Sequence, residues 1–417
     1  MGKLGSLPIV AILGMATLVG VAMVAAPVAT ATSSTLYVSP SASQNSGDSS
    51  CSTATYSTIQ SAVAAASSGA TVEVCTGTYT VDGATTSSIG GIDLFQPVTL
   101  EASGTVTITG TGPIFNLYNA SSPSAGVTGV TIEGFDFQNI TGSGYNGVIT
   151  VGGYGAGDVT IKDNTFTNIT DEAIGYHGNF GLTSPLGTNF DIVGNTVSNV
   201  TGSGTSARDG MFLGDLSNSV IADNTVSQTV WAGIILNGEA GVGSEGGNTI
   251  EGNTVSDVPE EGIQIAFGTN DTVSGNYVTN AGNGSNSGLA ATAGYVSGRN
   301  CAICLYDTGQ TAISVTDNVL TDSYQGVGVG QDNASPGALG SGIVVTHNVL
   351  VNDSDYGVVN NASSGTLPAV ANWWGSHLGP TTAANKGDHG MAGVAVSANV
   401  RYAPWCQNNS CVTGGPG

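Results

Sequence analysis

The stretch Asn248-Thr249-Ile250-Glu251-Gly252-Asn253-Thr254-Val255, followed after a short link by Glu260-Glu261-Gly262-Ile263-Gln264-Ile265, contains two short runs in which apolar and polar residues alternate. Each run is stopped by Gly or Asn, so the stretch reads as two strands and two turns. Variants of it recur along most of the chain. The Asn that ends the motif falls at Asn164, Asn195, Asn224, Asn253, Asn276, Asn318, Asn348 and Asn372, with Phe135 in the equivalent place before them. Successive steps are 29, 31, 29, 29, 23, 42, 30 and 24 residues. A period of roughly 20 to 30 residues built only of short strands and turns is a solenoid signature, in which each coil pairs its backbone with the next. A parallel β-helix meets these conditions. Ile250, Val255, Ile263 and Ile265 are then inward residues, and Glu251 and Gln264 point out. The repeated Asn is expected to adopt the left-handed backbone conformation and to hydrogen-bond to its counterpart one coil away. The 42-residue step leaves room for an extra loop over 281–299, rich in Gly, Asn and Ser.

Composition points the same way. Charged residues make up 8% of the chain, against about 25% in an ordinary domain, and the 64 glycines imply frequent turns. Lys and Arg number 6 against 29 Asp and Glu, for a formal net charge of -23. Such a surface repels nucleic acid and anionic membranes, so no nucleic-acid partner is expected. Residues 1–31 read as a signal peptide: Lys3 is the positive end, Leu7 to Ala26 are apolar, and Ala29-Thr30-Ala31 fits a small-residue cleavage site. An uncleaved N-terminal anchor is the competing reading, since the apolar run is long enough to span a bilayer. Either reading places the protein outside the cell or at its surface. Six cysteines suit disulfides in an oxidising compartment. Local pairing is expected: Cys51 with Cys75, and Cys406 with Cys411. Cys301 and Cys304 face opposite ways on a regular strand, so a bond between them requires a bend.

After a lead-in segment at 32–55, the pattern turns briefly helical. Ser57-Thr58 suits an N-cap, Ile59 and Val63 share a face, and Gly69 is a stop. Thr71-Val72-Glu73-Val74 then alternates as the first strand. The run Tyr56-Ser57-Thr58-Ile59-Gln60-Ser61-Ala62-Val63, with Gly69 to Tyr79, resembles the start of secreted β-helix proteins of the pectin-lyase-like superfamily. That resemblance makes the helix a plug over an open end. Together with the Asn-bearing turns and the Gly-Ile/Val strands, it extends over roughly residues 55 to 405 and implies an all-β, single-stranded right-handed parallel β-helix with a short N-terminal capping helix. Handedness comes from the resemblance. The body is assigned to 56–405, and 406–417 to a C-terminal disulfide loop and tail. Near the end, Ala371-Asn372-Trp373-Trp374-Gly375-Ser376-His377-Leu378-Gly379-Pro380 resembles a closing motif of secreted β-helix proteins. Trp373, Trp374 and Trp405 are read as covering the last coil's interior.

Related families on this fold carry chemistry on outward side chains stacked over successive coils, and the resemblance directs attention to such columns. Aligning the second strands on their Gly places Glu172, Asp209, Ala232, Glu261, Cys301, Gln325 and Tyr356 in one column. The preceding column reads Asp171, Arg208, Trp231, Glu260, Asn300, Tyr324 and Asp355. This is the densest cluster of ionisable residues in the chain, with His177 and Asp215 nearby. At about 4.8 Å per coil, Glu172 and Asp209 lie one step apart, and Asp209 and Glu261 two steps, or about 10 Å. Glycosidic hydrolysis needs one carboxyl held protonated and another ionised. Glu172, Asp209 and Glu261 are therefore the candidate catalytic acids and bases. Trp231 is a candidate sugar platform, and Arg208, His177 and Glu260 are further substrate-binding candidates. Ordinary turn chemistry also places acids before a Gly.

A polyuronate lyase is the other enzyme class the superfamily suggests. It calls for basic residues and calcium-binding carboxylates, and the chain supplies few bases. The segment Gly152–Asp158 is similar to a calcium-binding nonapeptide but occurs once, with its Asp one residue late. No metal site is assigned and no cofactor is expected, with calcium kept open. Two functions follow. One is a secreted, monomeric β-helix protein that binds or cleaves extracellular polysaccharide or cell-envelope glycan, as a glycoside hydrolase or lyase if it is an enzyme. The other is a non-catalytic surface or adhesive protein whose stacked, Thr- and Ser-rich face is itself the product.

Overall fold

The computed structural model describes residues 34–42, 48–83, 91–117, 126–142, 147–152, 155–176, 187–202, 209–238, 246–283, 301–307, 309–330, 337–382 and 393–411. The signal segment, His177, Arg208, Asn300 and most of the 281–299 loop lie outside them.

Three columns of short parallel strands build the body. Sheet 1 holds the strands before each motif Asn, among them Gly157–Lys162, Gly187–Val193, Val220–Ala222, Thr249–Glu251 and Thr272–Ser274. Sheet 2 holds those after it, among them Thr165–Ile169, Thr196–Val200, Thr225–Ser227 and Thr254–Val258. Near the N-terminal end Ala70–Asp82 and Val98–Thr111 run through the corner as single strands, so both columns belong to one twenty-stranded sheet. Sheet 3 has ten strands, from Ile92–Asp93 to Tyr356–Asn360. Every pairing between successive coils is parallel, with Ile221↔Ile250↔Val273 in sheet 1, Val226↔Val255↔Val278 in sheet 2 and Leu236↔Ile265↔Leu305 in sheet 3. These inward residues are buried. Each adds about 1.5–3 kcal/mol on burial, so the stack is the core. Phe137 and Phe166 lie face to face within it, ring centroids 4.8 Å apart.

Three columns of left-handed residues mark the bends of each coil. Asn189 lies near the start of its sheet 1 strand and Asn218 just ahead of one, Asp163, Gly194, Asp223 and Gly252 precede the motif Asn, and Asn168, Asn199 and Asp257 are the penultimate residues of their sheet 2 strands. Gly, Asn and Asp tolerate this conformation best, which accounts for many of the chain's acids as corner residues. The motif Asn itself is not left-handed. The conformational demand falls one residue earlier, at Asp223 (φ 53°) before Asn224 and Gly252 (φ 63°) before Asn253, which corrects the expectation from sequence.

The hydrogen-bonding expectation holds in detail. Asn253 Oδ1 accepts from the backbone N–H and the side-chain amide of Asn224, both at 3.0 Å. Its own amide donates to the Ile221 carbonyl at 2.8 Å and to Asn276 Oδ1 at 2.9 Å. The ladder continues to Asn372 and begins where the Phe135 N–H meets Asn164 Oδ1. Each buried amide is satisfied by its neighbours, as a polar group in such a place requires.

The ends are closed differently. Helix α1, Ile59–Ala65, is capped by Thr58, whose side chain accepts from the Ser61 N–H at 3.2 Å, and buries Ile59, Ala62 and Val63. The first rung lies upstream of it, where Thr35–Val38 pairs with Thr71–Val74. At the other end Trp374 is fully buried, Trp373 is half-buried, and Trp405 donates from Nε1 to the His377 carbonyl at 3.1 Å. Of the three tryptophans, Trp374 alone fills the coil interior. Disulfides join Cys51 to Cys75, Cys301 to Cys304 and Cys406 to Cys411, with Cα separations of 5.6, 5.4 and 6.0 Å.

Candidate functional site

Sheet 3 differs from the other two in what its outer face does. Sheet 1 and 2 strands alternate buried and accessible residues, as in Gly157–Lys162 and Thr254–Val258. Sheet 3 strands such as Ile149–Val151, Ile263–Ala266 and Cys301–Leu305 are buried throughout. Their outward column includes Thr150, Ile235, Gln264, Cys304 and Val359, with exposures of 5, 7, 4, 0 and 5%. A strand covered on both faces has lost the polar-out alternation of a solvent-facing one.

The acidic column lies at the start of these strands, in the register expected from sequence. The Ala173 N–H donates to the Gly210 carbonyl, Gly210 to Ala232, Gly233 to Glu261 and Gly262 to Cys301. Cys301 pairs with Gln325 and Gln325 with Tyr356. Glu172, Asp209, Ala232, Glu261, Cys301, Gln325 and Tyr356 are therefore stacked on consecutive coils. All three candidate carboxyls are buried, at 0% for Glu172, 1% for Asp209 and 1% for Glu261. Asp171 and Glu260 beside them are buried as well. Burial raises the Glu172 carboxyl well above the ordinary carboxylate range, because a charged form there forfeits its hydration. Asp209 has a defined structural contact: its Oδ1 accepts from the Ala232 N–H of the next coil at 3.0 Å.

Trp231 stands on the coil between Asp209 and Glu261 and is partly accessible. Its indole Nε1 is buried with no hydrogen-bond partner among the described residues, and so is Gln264 Oε1 on the outer face. The structure thus brings together Glu172, Asp209, Glu261, Glu260 and Trp231. Asp215, noted from sequence as a neighbour, is buried at a left-handed corner, and its charge adds to the burial that raises the Tyr176 phenol.

Two buried acids escaped notice in the sequence. Asp271 Oδ1 accepts from the Asn248 N–H at 2.8 Å, and burial lifts its pKa to about 6 against the lowering effect of that bond. Asp353 Oδ1 accepts from the Ser323 N–H at 3.3 Å, and burial lifts its pKa to about 8. The signal for Asp271 was its place one turn after the Asn248 position, where Ser219 and Asn248 form the preceding rungs of a second, shorter ladder. Among the described residues no three His, Cys, Asp or Glu side chains converge in a group able to hold a metal ion.

With this geometry in place, the relatives can be set beside it. Residues 116–296 match the family model for the right handed beta helix region. The fold is a right-handed parallel β-helix. No curated protein sequence matches it. Among solved structures it is similar to pectate lyase Pel9A, at 12% identity over 89% of this chain and 78% of that one, with a TM-score of 0.40. It is similar also to the catalytic domain of a GH87 α-1,3-glucanase in complex with tetrasaccharides, at 15% identity over 84% and 67% of the two chains and a TM-score of 0.46. A third is the Streptococcus pneumoniae surface protein and adhesin PfbA, at 12% identity over 83% and 93% and a TM-score of 0.44.

Proposed function

We propose that this β-helix engages extracellular polysaccharide along the outer side of sheet 3 and cleaves it with carboxyl groups of the stacked acidic column. One observation carries the reading: Glu172, Asp209 and Glu261 stand in a single column of the stacked coils, and burial raises the Glu172 carboxyl well above the ordinary carboxylate range. A protonated carboxyl is what donation to a glycosidic oxygen requires, and a neighbouring ionised one supplies the base or nucleophile. In this proposal Glu172 is the general acid, Asp209 on the next coil is the partner carboxylate, Glu261 two coils further on contacts the bound sugar, and Trp231 is a platform on which a sugar ring stacks. Glycoside hydrolysis fits the chain better than uronate elimination, because the column contains no described basic side chain to set against an anionic polymer.

The Asp209 bond to the Ala232 N–H favours a second reading, in which the acids stabilise the scaffold and the protein is a non-catalytic surface or adhesive β-helix. Incubating the purified protein with neutral and acidic glycans, and following both reducing ends and unsaturated products, separates the two. The proposal expects reducing ends from a neutral glycan and their loss in Glu172→Gln with the fold retained. Glycan retention without any turnover, or turnover unchanged in Glu172→Gln, Asp209→Asn and Glu261→Gln, sinks the catalytic role.

A further inference from the structure

Gln264 stands on the outer face of sheet 3 among neighbours that have no hydrogen to give it. Register places Phe212, Ile235, Gln264 and Cys304 on successive coils. The amide is therefore flanked by an aliphatic side chain on one coil and by the Cys301–Cys304 disulfide on the other. Gln264 is 4% exposed, and its Oε1 is buried without a partner among the described residues. An acceptor in that state weakens the fold, which is why nearly all buried polar groups are paired.

The matching donor lies one coil away. Two indoles, those of Trp231 and Trp374, carry a buried Nε1 with no partner among the described residues. Trp374 fills the coil interior at the C-terminal end. Trp231 stands on the coil that rests directly on Gln264: the Gly233 N–H donates to the Glu261 carbonyl at 2.9 Å, the Ile234 N–H to the Gly262 carbonyl at 3.0 Å, and Ile235 pairs with Gln264. Trp231 is partly accessible, so the pair opens to solvent on its side. Glu261 and Gln264 hold the places that Cys301 and Cys304 hold on the next coil, where the Cα atoms are only 5.4 Å apart. The Gln264 amide is thus a neighbour of the acidic column.

We infer that Trp231 Nε1 and Gln264 Oε1 form a subsite for a sugar hydroxyl, which accepts from the indole and donates to the amide oxygen. An indole N–H only donates and an amide oxygen only accepts, so the group between them must do both. A hydroxyl does. A carboxylate cannot donate and an ammonium cannot accept, so neither fills the subsite. The spacing agrees as well, since adjacent coils lie about 4.8 Å apart and two hydrogen bonds through one oxygen span about 5–6 Å. The inference rests on the glycan reading and adds to it the residue that selects the ligand, Gln264. It gives the edge of the Trp231 indole to a hydroxyl and leaves the face for stacking. An unpaired donor and acceptor weaken the free protein and are satisfied on binding, a trade of stability for recognition.

The test joins binding to stability. Wild type, Gln264→Leu and Trp231→Phe are titrated with neutral oligosaccharides of glucose, mannose and galactose, and each is melted without sugar. Leu removes the acceptor at similar volume, and Phe keeps a ring for stacking but has no N–H. Each variant is expected to bind about tenfold more weakly than wild type, as the loss of one ligand hydrogen bond implies. Gln264→Leu is also expected to melt at a higher temperature than wild type, because it removes an unpaired buried group. An amide with a purely structural role moves the melt the other way. A wild type that binds sugar and is matched by either variant overturns the subsite and leaves the glycan reading standing. So does a Gln264→Leu protein that melts below wild type. A wild type that binds none of the sugars overturns both.

Discussion

Asn224 shows how one side chain holds three coils. Its Oδ1 accepts from the backbone N–H and the amide of Asn195 at 3.0 Å each, and its own amide donates to the Ile192 carbonyl at 2.8 Å. In Asn224→Ala the buried Asn195 N–H and the Ile192 carbonyl lose these partners, and the Asn195 amide keeps only its bonds to the Ile161 and Val193 carbonyls. A loss of about 3 kcal/mol is expected, because each stranded group costs about 1–3 kcal/mol and some relaxation recovers part of the sum; urea unfolding measures it. Asp353 gives the complementary case. Its folded pKa is raised to about 8 by burial, against an ordinary value of about 4 in the unfolded chain. The folded state therefore holds the proton more tightly. The stability this contributes is complete below about pH 4 and lost as pH rises through about 8. Asp353→Asn keeps a neutral side chain at every pH, so its stability should fall less than that of wild type between pH 4 and pH 8. Parallel unfolding curves at several pH values would show that difference, and superimposable pH profiles would refute it.

At the scale of the coil, the corners limit what the sequence can contain. Gly246 has φ 140°, and a Cβ there would overlap the Thr269 carbonyl oxygen of the next coil. Gly246→Ala must therefore push two rungs apart, and a drop in melting temperature of several degrees is expected from calorimetry. The corner before the ladder behaves otherwise. Asp163, Gly194, Asp223, Gly252, Asp317, His347 and Ala371 all adopt positive φ there. The coil imposes the conformation and the residue accepts it. This explains why the ladder Asn was legible in the sequence while the left-handed position beside it was not. A position filled by Asp, Gly, His and Ala has no compositional signature. The strands, the capping helix at Ile59–Ala65 and the column from Glu172 to Tyr356 were legible because alternation and a Gly landmark fix register. The burial of that column was not, since an acid before a Gly is ordinary turn chemistry whether it is covered or exposed.

Over the whole molecule, the charge distribution and the buried acids act together. Lys and Arg number only 6 and His 4, so acidification removes negative charge without building a large positive one. The usual source of acid unfolding, repulsion among cations with the loss of paired carboxylates, is weak here. Glu172, Asp271 and Asp353 all have raised pKa values in the folded state, which favours folding on the acid side. The protein should melt at a higher temperature near pH 4 than near pH 8, and a maximum on the alkaline side would contradict this balance. The functional proposal is also a statement about the whole body, because it chooses the buried outer side of sheet 3 over two exposed faces. The most direct measurement is a crystal structure of Glu172→Gln with a neutral oligosaccharide. The account predicts sugar lying along sheet 3, with a glycosidic oxygen within hydrogen-bonding distance of position 172 and a ring against Trp231. Sugar bound on another face, with the Asp209 and Glu261 carboxyls still enclosed, would contradict it.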